Sequence, residues 1–194
     1  MHSLHPELTR AMRTMLDKLD ALVRGGGFEG EPVRMFLAGG MALHFYCGAR
    51  FTEDVDATFS ARLLLPLNEL TVDYVREDGT PSSLYFDANY NDTFALMHPE
   101  YRTDAVEWQG IGNETRLVRL FVLSPVDLAV SKISRFSPQD REDIALLGST
   151  GSFDPEELRK RALEALSYYV GNTAWVRGTI EQVCAEVAHR RRNG

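Results

Sequence analysis

Apolar and polar residues recur with two different periods along the chain, and the change of period predicts strands in the first half and helices in the second. Helical spacing of apolar residues over 7–24, ending at three consecutive glycines, predicts an amphipathic helix. Five shorter apolar runs predict strands, and the last four of them should pair as two hairpins. These runs lie around Leu37 and at residues 72–76, 83–90, 105–108 and 116–123.

Helix-start signals dominate the second half. Ser124-Pro125, Ser137-Pro138 and Asp154-Pro155 each place a capping side chain directly before a proline, which is the arrangement preferred at a helix N-terminus. Two further helices are expected, one at residues 63–70 and one from a cap at Asn172 to about His189.

The pattern as a whole predicts an α+β fold, with a mixed sheet flanked by helices and a helical extension at the C-terminus. The glycine- and serine-rich stretch at 148–152 is the best boundary candidate. We therefore expect an α/β domain over residues 1–147 and a C-terminal helical extension over 148–194 that packs on it.

Composition narrows the class of protein. A hydrophobic content of 44% suits a compact globular chain, while a net charge of −7 argues against an extended DNA-binding surface. The basic run at 190–192 is expected to be a solvated, frayed tail. There is no signal-peptide pattern or membrane-spanning run, and Cys47 and Cys184 share no metal or redox motif, so a cytoplasmic protein with reduced thiols is expected.

The most informative segment couples a glycine turn to two carboxylates. Gly39-Gly40 follows an apolar strand and opens a helix that ends near Gly48, and backbone amides at a helix N-terminus attract phosphate. Thirteen residues separate Gly40 from Asp54-Val55-Asp56, and Arg50 lies in the loop between them. This order of elements indicates a nucleotide site, with an ordinary turn beside a solvated edge strand as the alternative.

The two carboxylates predict a metal ion. Side chains alternate along a strand expected at 54–59, so Asp54 and Asp56 should share one face with Thr58. Two carboxylates this close repel each other unless a cation lies between them. Mg²⁺ bound through carboxylates and substrate phosphates is the usual solution, so we expect Mg²⁺, or Mn²⁺ in its place, at Asp54 and Asp56.

This segment resembles the signature of the nucleotidyltransferase (polymerase-beta-like) superfamily: a hydrophobic residue, Gly-[Gly/Ser], then Asp-hydrophobic-[Asp/Glu]-hydrophobic. Within it, Gly39-Gly40 with residues 50–56 is similar to the small AbiEii-like proteins of bacterial toxin-antitoxin and abortive-infection systems. The resemblance implies transfer of a nucleotidyl group from an NTP, with Asp54 and Asp56 catalytic. It also implies nucleotide contacts from Gly39, Gly40, Arg50 and Thr52.

A second block, at residues 123–144, resembles the same group. Lys132 is similar to the lysine of the group's helical motif, and with Arg50 it is expected to neutralise the leaving pyrophosphate. The alternative for Lys132 is a surface lysine with its ammonium in solvent. Asp143 resembles the acid that supports the active-site base, whereas Asp140, on the same helical face, doubles as a capping acid.

The superfamily usually supplies a third carboxylate from a neighbouring strand. Alternation in 83–90 puts Asp87 on the polar face, which makes it the first candidate, and an exposed strand acid without a role is the alternative. Glu107 is the second candidate, because Asp104 would align with Val106 and Trp108 on the apolar face.

Three functions follow from these residues. The first is a Mg²⁺-dependent nucleotidyltransferase that acts on an RNA, protein or small acceptor. For this enzyme the AbiEii-like resemblance also implies a toxin role and a cognate antitoxin. The second is a catalytically silent nucleotide- or protein-binding member of the same fold. The third is an interaction protein in which the glycine turn and the acids are incidental.

Overall fold

A computed structural model describes residues 5–48, 51–63, 66 and 70–193. The chain divides into two compact units. The first consists of Met1–Tyr90 with Ala105–Val122, and the second of Asn91–Asp104 with Leu123–Gly194. The fold is α+β, with strands in the first unit and most of the helices in the second, as the periodicity predicts. The domain boundary expected at residue 148 stays a prediction.

Four strands of the first unit form a mixed sheet around strand β1 (Val33–Leu37). β1 pairs in parallel with β7 (Val118–Val122) on one side and antiparallel with β3 (Ala57–Phe59) on the other. β6 (Val106–Glu107) adds an antiparallel edge to β7, so the strand order is β3-β1-β7-β6. The predicted hairpin of β6 and β7 is confirmed, and β1 lies inside the sheet because its residues are almost all apolar.

A second sheet in the same unit has the order β2-β5-β4. β4 (Thr71–Val75) and β5 (Pro81–Phe86) form the other predicted hairpin, and β2 (Asp54–Val55) pairs in parallel with β5. The prediction of one continuous strand over 54–59 is therefore wrong, because the segment divides at Asp56 into β2 and β3. The Val55 carbonyl accepts a hydrogen bond from the Asp87 amide, whereas the Asp56 carbonyl accepts one from Ala38 beyond β1, so consecutive residues bond to different sheets.

Two helices complete the first unit. Helix α1 (Pro6–Gly25) buries an apolar stripe and packs against β4 and β7, which confirms the helix predicted at 7–24. Asp20 on α1 accepts hydrogen bonds from the backbone amides of Leu117 and Val118 and so fixes the helix to the start of β7. Helix α2 (Gly39–Cys47) ends at Gly48, whose left-handed backbone closes the last turn.

The second unit contains four helices: α3 (Pro125–Ser131), α4 (Pro138–Ser149), α5 (Pro155–Leu166) and α6 (Thr173–Asn193). The three predicted capping residues, Ser124, Ser137 and Asp154, each accept a hydrogen bond from an amide of the first turn. The cap at Asn172 is also confirmed. Helix α6 runs beyond His189, so the basic run at 190–192 is helical and not frayed, while its side chains are exposed to solvent as expected.

Buried apolar residues of the second unit lie between its helices, where α6 packs against α4 and α5. Cys184 on α6 is a buried free thiol, as is Cys47 in the first unit, and burial raises the pKa of Cys184 to about 11. The helix expected at 63–70 falls mostly on residues outside the described part of the chain. No helix within the described residues is both long and apolar enough to cross a membrane.

Candidate functional site

The glycine turn lies between β1 and α2. Ala38 is the last extended residue, and Gly39 opens the helix with a φ of 59°, a left-handed conformation that favours glycine. The amide of Ala38 donates to the Asp56 carbonyl at 2.8 Å. This hydrogen bond connects the end of β1 directly to the acidic segment, which consists of residues 54–56. The first amides of α2 follow Ala38 and therefore lie near the same segment.

Both glycines of the turn approach this segment too closely for a larger residue. A Cβ added to Gly39 would overlap the Asp56 carboxylate and lie 2.7 Å from its Cγ. A Cβ added to Gly40 would lie 2.8 Å from Oγ1 of Thr52. The structure thus brings together four residues that the sequence predicts for the site: Gly39, Gly40, Thr52 and Asp56.

Asp54 is the second carboxylate of this group. Its backbone is held by Thr52, whose hydroxyl accepts from the Asp54 amide and donates to the Asp54 carbonyl, both at 3.3 Å. Oδ1 of Asp54 is buried and has no hydrogen-bond partner. A buried carboxylate oxygen without a donor is costly, so this oxygen is suited to receive a cation or a ligand donor.

Tyr85 on β5 is a neighbour of Asp54 that sequence reasoning missed. The two residues are register partners in the parallel pair of β2 and β5, so their side chains share a face. A hydrogen bond to Asp54, together with its negative charge, raises the pKa of the Tyr85 phenol. The sequence pattern could have identified Tyr85, because alternation along 83–90 places it with Asp87 on the polar face of the strand.

Asp87 lies one residue beyond the end of β5. Continuing the parallel register places it opposite Asp56, and its amide donates to the Val55 carbonyl at 3.1 Å. Its Oδ1 accepts a hydrogen bond from the Asn89 amide at 2.8 Å, which closes a short turn. The residue predicted as third carboxylate therefore neighbours the acidic segment, with one oxygen engaged in local structure.

Glu107 is located elsewhere in the first unit. It lies on the edge strand β6, three strands from β3 in the sheet order, a separation of about 14 Å at the usual strand spacing. Its carboxylate accepts a hydrogen bond from Asn113, which also bonds the backbone of Leu120 on β7. The structure therefore gives Glu107 a contact that supports the sheet edge.

Arg50 lies outside the described residues, and the residues that follow it pack tightly. The Phe51 ring lies 4.0 Å from the His5 ring between centroids, and the Arg76 guanidinium lies 4.8 Å over Phe51. Arg76 also contacts the carboxylate of Glu53 at 3.6 Å. These contacts fix the loop that leads into Thr52 and Asp54.

Lys132 and Asp143 lie together in the second unit. The Lys132 ammonium is 2.7 Å from Asp143 and 3.7 Å from Asp140, and the side chain is only 7% exposed. Gln139 donates to the other Asp143 oxygen at 3.1 Å. The sequence assigned both residues to the block that resembles the AbiEii-like group, and the structure adds that they form one buried ion-pair cluster.

Asp140 completes this cluster as both a capping residue and an ion-pair partner. It accepts hydrogen bonds from the amide and hydroxyl of Ser137 and from the guanidinium of Arg135. Burial disfavours its charged form, but the hydrogen bonds from Arg135 and Ser137 outweigh this effect and hold the pKa of Asp140 at about 2. The carboxylate is therefore ionised at neutral pH.

The donor set around the glycine turn fits a hard divalent cation. Asp54 and Asp56 offer carboxylate oxygens, the ligand type that Mg²⁺ and Mn²⁺ prefer, and Oδ1 of Asp54 is buried without a donor. Within the described ranges, no three His, Cys, Asp or Glu side chains are grouped so that they could hold a metal ion. A metal bound by the two aspartates would therefore take further ligands from a substrate or from water.

Comparison with known families adds one match. The family described as "Nucleotidyltransferase of unknown function (DUF6036)" matches residues 14–179, which contain the glycine turn, the acidic segment and the Lys132 cluster. A search of curated proteins finds no match to the chain.

Proposed function

The chain belongs to this family of nucleotidyltransferases of unknown function, and from that premise we propose that it transfers a nucleotidyl group from an NTP to an acceptor hydroxyl with the help of Mg²⁺. One observation carries the proposal. The glycine turn at the N-terminus of α2 lies directly against Asp56 and Thr52, so a phosphate at the turn would lie beside the carboxylates.

In the proposed reaction an acceptor oxygen attacks the α-phosphorus of the NTP. A new oxygen–phosphorus bond forms, the bond to the pyrophosphate breaks, and the acceptor proton passes to a carboxylate. We assign Asp54 and Asp56 to metal binding, and a bound Mg²⁺ supplies positive charge that polarises the phosphate oxygens. The amides of the glycine turn orient the phosphates, and Thr52 holds the Asp54 backbone in place.

Asp87 is the proposed proton acceptor. Its register position opposite Asp56 supports this role, since a base must lie within hydrogen-bond reach of the attacking hydroxyl. Arg50 and Lys132 are proposed, on the family resemblance alone, to neutralise the pyrophosphate, with Asp143 supporting Lys132 through their ion pair. Glu107, on the far edge of the four-stranded sheet, has no role in the proposed reaction.

Transfer can be tested with each α-labelled NTP, Mg²⁺ and total cellular RNA or protein. We expect the wild type to label an acceptor, Asp56→Ala to abolish labelling, and Asp73→Ala, which removes an exposed acid of β4, to leave it intact. Labelling that persists in Asp54→Ala and Asp56→Ala would overturn the proposed chemistry. The labelled species would identify the acceptor as RNA, protein or a small molecule.

A catalytically silent binding protein is the second candidate, and the turn at Asp87 favours it. One Asp87 oxygen already accepts a hydrogen bond from the Asn89 amide, so it is engaged in the local turn and not directed to an acceptor hydroxyl. This candidate predicts Mg²⁺-dependent NTP binding without any transfer, and Asp87→Asn should then leave binding unchanged.

The toxin role and a cognate antitoxin belong to the same proposal. Their support is the similarity of residues 50–56 to the AbiEii-like group. Expression of the wild type should arrest growth of a bacterial host, and Asp56→Ala should restore it. Growth arrest that is equal for both would contradict a toxin role that depends on transfer.

A further inference from the structure

Tyr85 on β5 is an exposed aromatic residue beside the candidate metal site, and the proposed reaction does not use it. Its side chain is 43% exposed. Tyr85 and Asp54 are register partners in the parallel pair of β2 and β5, so they lie on strands about 4.8 Å apart with their side chains on one face. Tyr85 is therefore placed where it can act on the Asp54 carboxylate.

The backbone around Asp54 is fixed from β5. The Tyr85 amide donates to the Glu53 carbonyl at 2.8 Å. The Asp87 amide donates to the Val55 carbonyl at 3.1 Å. Asp54 lies between these two hydrogen bonds, so the strand pairing sets the position of its Cα. What the backbone does not set is the orientation of the carboxylate, because that depends on the side-chain torsions.

The Tyr85 phenol contacts this carboxylate. It forms a hydrogen bond to the Asp54 side chain. Oδ1 of Asp54 is buried without a hydrogen-bond partner, so the phenol bonds the other oxygen, Oδ2. One oxygen is thus held by a donor while the other is left for a ligand. Metal sites use the same arrangement, in which hydrogen bonds from neighbouring groups orient the ligating carboxylates.

The other side of the Tyr85 ring contributes little to packing. Thr71 on β4 is its register partner in the antiparallel pair, and this residue is small and exposed. An exposed ring beside a small, exposed neighbour fills no part of the core. Removing the hydroxyl should therefore change the hydrogen bonding of Asp54 and leave the fold as it is.

We propose that Tyr85 is a positioning residue, whose phenol holds Oδ2 of Asp54 and leaves Oδ1 available to the Mg²⁺ ion. The inference rests on the proposed metal-dependent transfer and adds a residue to its metal site. In this role Tyr85 acts through Asp54, and no bond to Tyr85 is made or broken in the reaction. The phenol donates the hydrogen bond and the carboxylate accepts it.

The probe is Mn²⁺, titrated into the full chain and followed by the electron paramagnetic resonance signal of the free ion. Tyr85→Phe removes only the hydroxyl and should weaken Mn²⁺ binding about tenfold, as is typical when a metal ligand loses its hydrogen-bond partner. Tyr85→Leu, which also removes the ring, should bind as weakly as Tyr85→Phe. Tyr74→Phe on β4 is the matched control and should bind like the wild type, because the buried Tyr74 hydroxyl has no hydrogen-bond partner.

The labelling assay provides a second readout. At low Mg²⁺, Tyr85→Phe should transfer less label than the wild type, and raising Mg²⁺ about tenfold should restore transfer, because only the affinity for the metal is reduced. A defect in folding or in proton transfer would not respond to the ion in this way. Without metal, Tyr85→Phe should melt at the temperature of the wild type, since the side chain is exposed.

Three results would overturn this role of Tyr85. The first is equal Mn²⁺ affinity in Tyr85→Phe and Tyr74→Phe, and a loss confined to Tyr85→Leu would assign the effect to the ring instead. The second is a loss of transfer in Tyr85→Phe that added Mg²⁺ does not restore. The third is a marked fall in its melting temperature.

Each of these results would leave the proposed transfer untouched. The proposed function fails on a different observation, which is Mn²⁺ binding that is unchanged in both Asp54→Ala and Asp56→Ala. A wild-type chain that binds no Mn²⁺ would remove the metal site and the role of Tyr85 with it.

Discussion

At the scale of single residues, Gly39 is the most tightly constrained position of the candidate site. Its left-handed φ of 59° favours glycine, and the Asp56 carboxylate occupies the space that a side chain would need. The sequence alone shows a glycine at a turn. The contact with Asp56 supplies the reason that no larger residue fits.

Gly39→Ala should lower the free energy of unfolding by about 3 kcal/mol, since it adds backbone strain and an overlap with Asp56. Urea unfolding measures this change. Gly27→Ala is the matched control, because Gly27 has a φ of 69° but nothing within 4 Å of an added Cβ. It should lose only about 1 kcal/mol. Equal losses in the two variants would contradict the close approach of Gly39 and Asp56.

The low pKa of Asp140 makes stability depend on pH in acid. Its folded pKa of about 2 lies below the ordinary value of 3.8, so the carboxylate contributes stability above pH 3.8 and loses it as the pH falls through 2. The contribution is about 2 kcal/mol. In urea unfolding from about pH 5 to about pH 2, the gap between wild type and Asp140→Asn should shrink by this amount. A gap that is constant with pH would contradict the shift.

At the scale of elements, helix caps and periodic faces were predictable, whereas strand pairing was not. Ser124, Ser137 and Asp154 cap helices through residues two or three positions away, so the signal is local. The division of 54–59 at Asp56 depends on Ala38 and Asp87, which are distant in sequence. Alternation could place Asp54 and Asp56 near each other, but it could not reveal that two sheets meet there.

Two ion pairs in the second unit have the same bidentate chemistry and different burial. Arg161 bonds both oxygens of Asp127, which is 1% exposed, at 2.8 and 2.9 Å. Arg141 bonds both oxygens of Glu186, which is 26% exposed, at 2.7 Å each. The first pair links α5 to α3, and the second links α4 to α6.

Asp127→Asn should therefore destabilise the protein by about 3 kcal/mol, because it leaves Arg161 with too little counter-charge in a buried place. Glu186→Gln should cost less than about 1 kcal/mol, because water can replace the lost partner. Thermal and urea unfolding of both variants provide the comparison. A larger loss for Glu186→Gln would show that burial does not control the strength of these pairs.

At the scale of the whole molecule, binding of NTP with Mg²⁺ should increase the thermal stability of the folded chain. A ligand that binds only the folded chain stabilises it by about 2.7 kcal/mol at a hundredfold excess over its Kd. NTP with Mg²⁺ should thus raise the melting temperature of the wild type and of Asp73→Ala, but not of Asp54→Ala or Asp56→Ala. Chelation of Mg²⁺ should remove the shift, and a shift that survives chelation would contradict a metal-dependent site.

The sequence by itself determined the α+β class, the helix starts, both hairpins and the pairing of a glycine turn with Asp54 and Asp56. These features depend on periodicity and on residues close in the chain. The tertiary structure alone decided that Tyr85 adjoins Asp54, that Lys132 is buried against Asp143, and that Arg34 lies beside Arg119. Such neighbours are set by strand register and helix packing between distant segments, and hydrophobic pattern does not encode them.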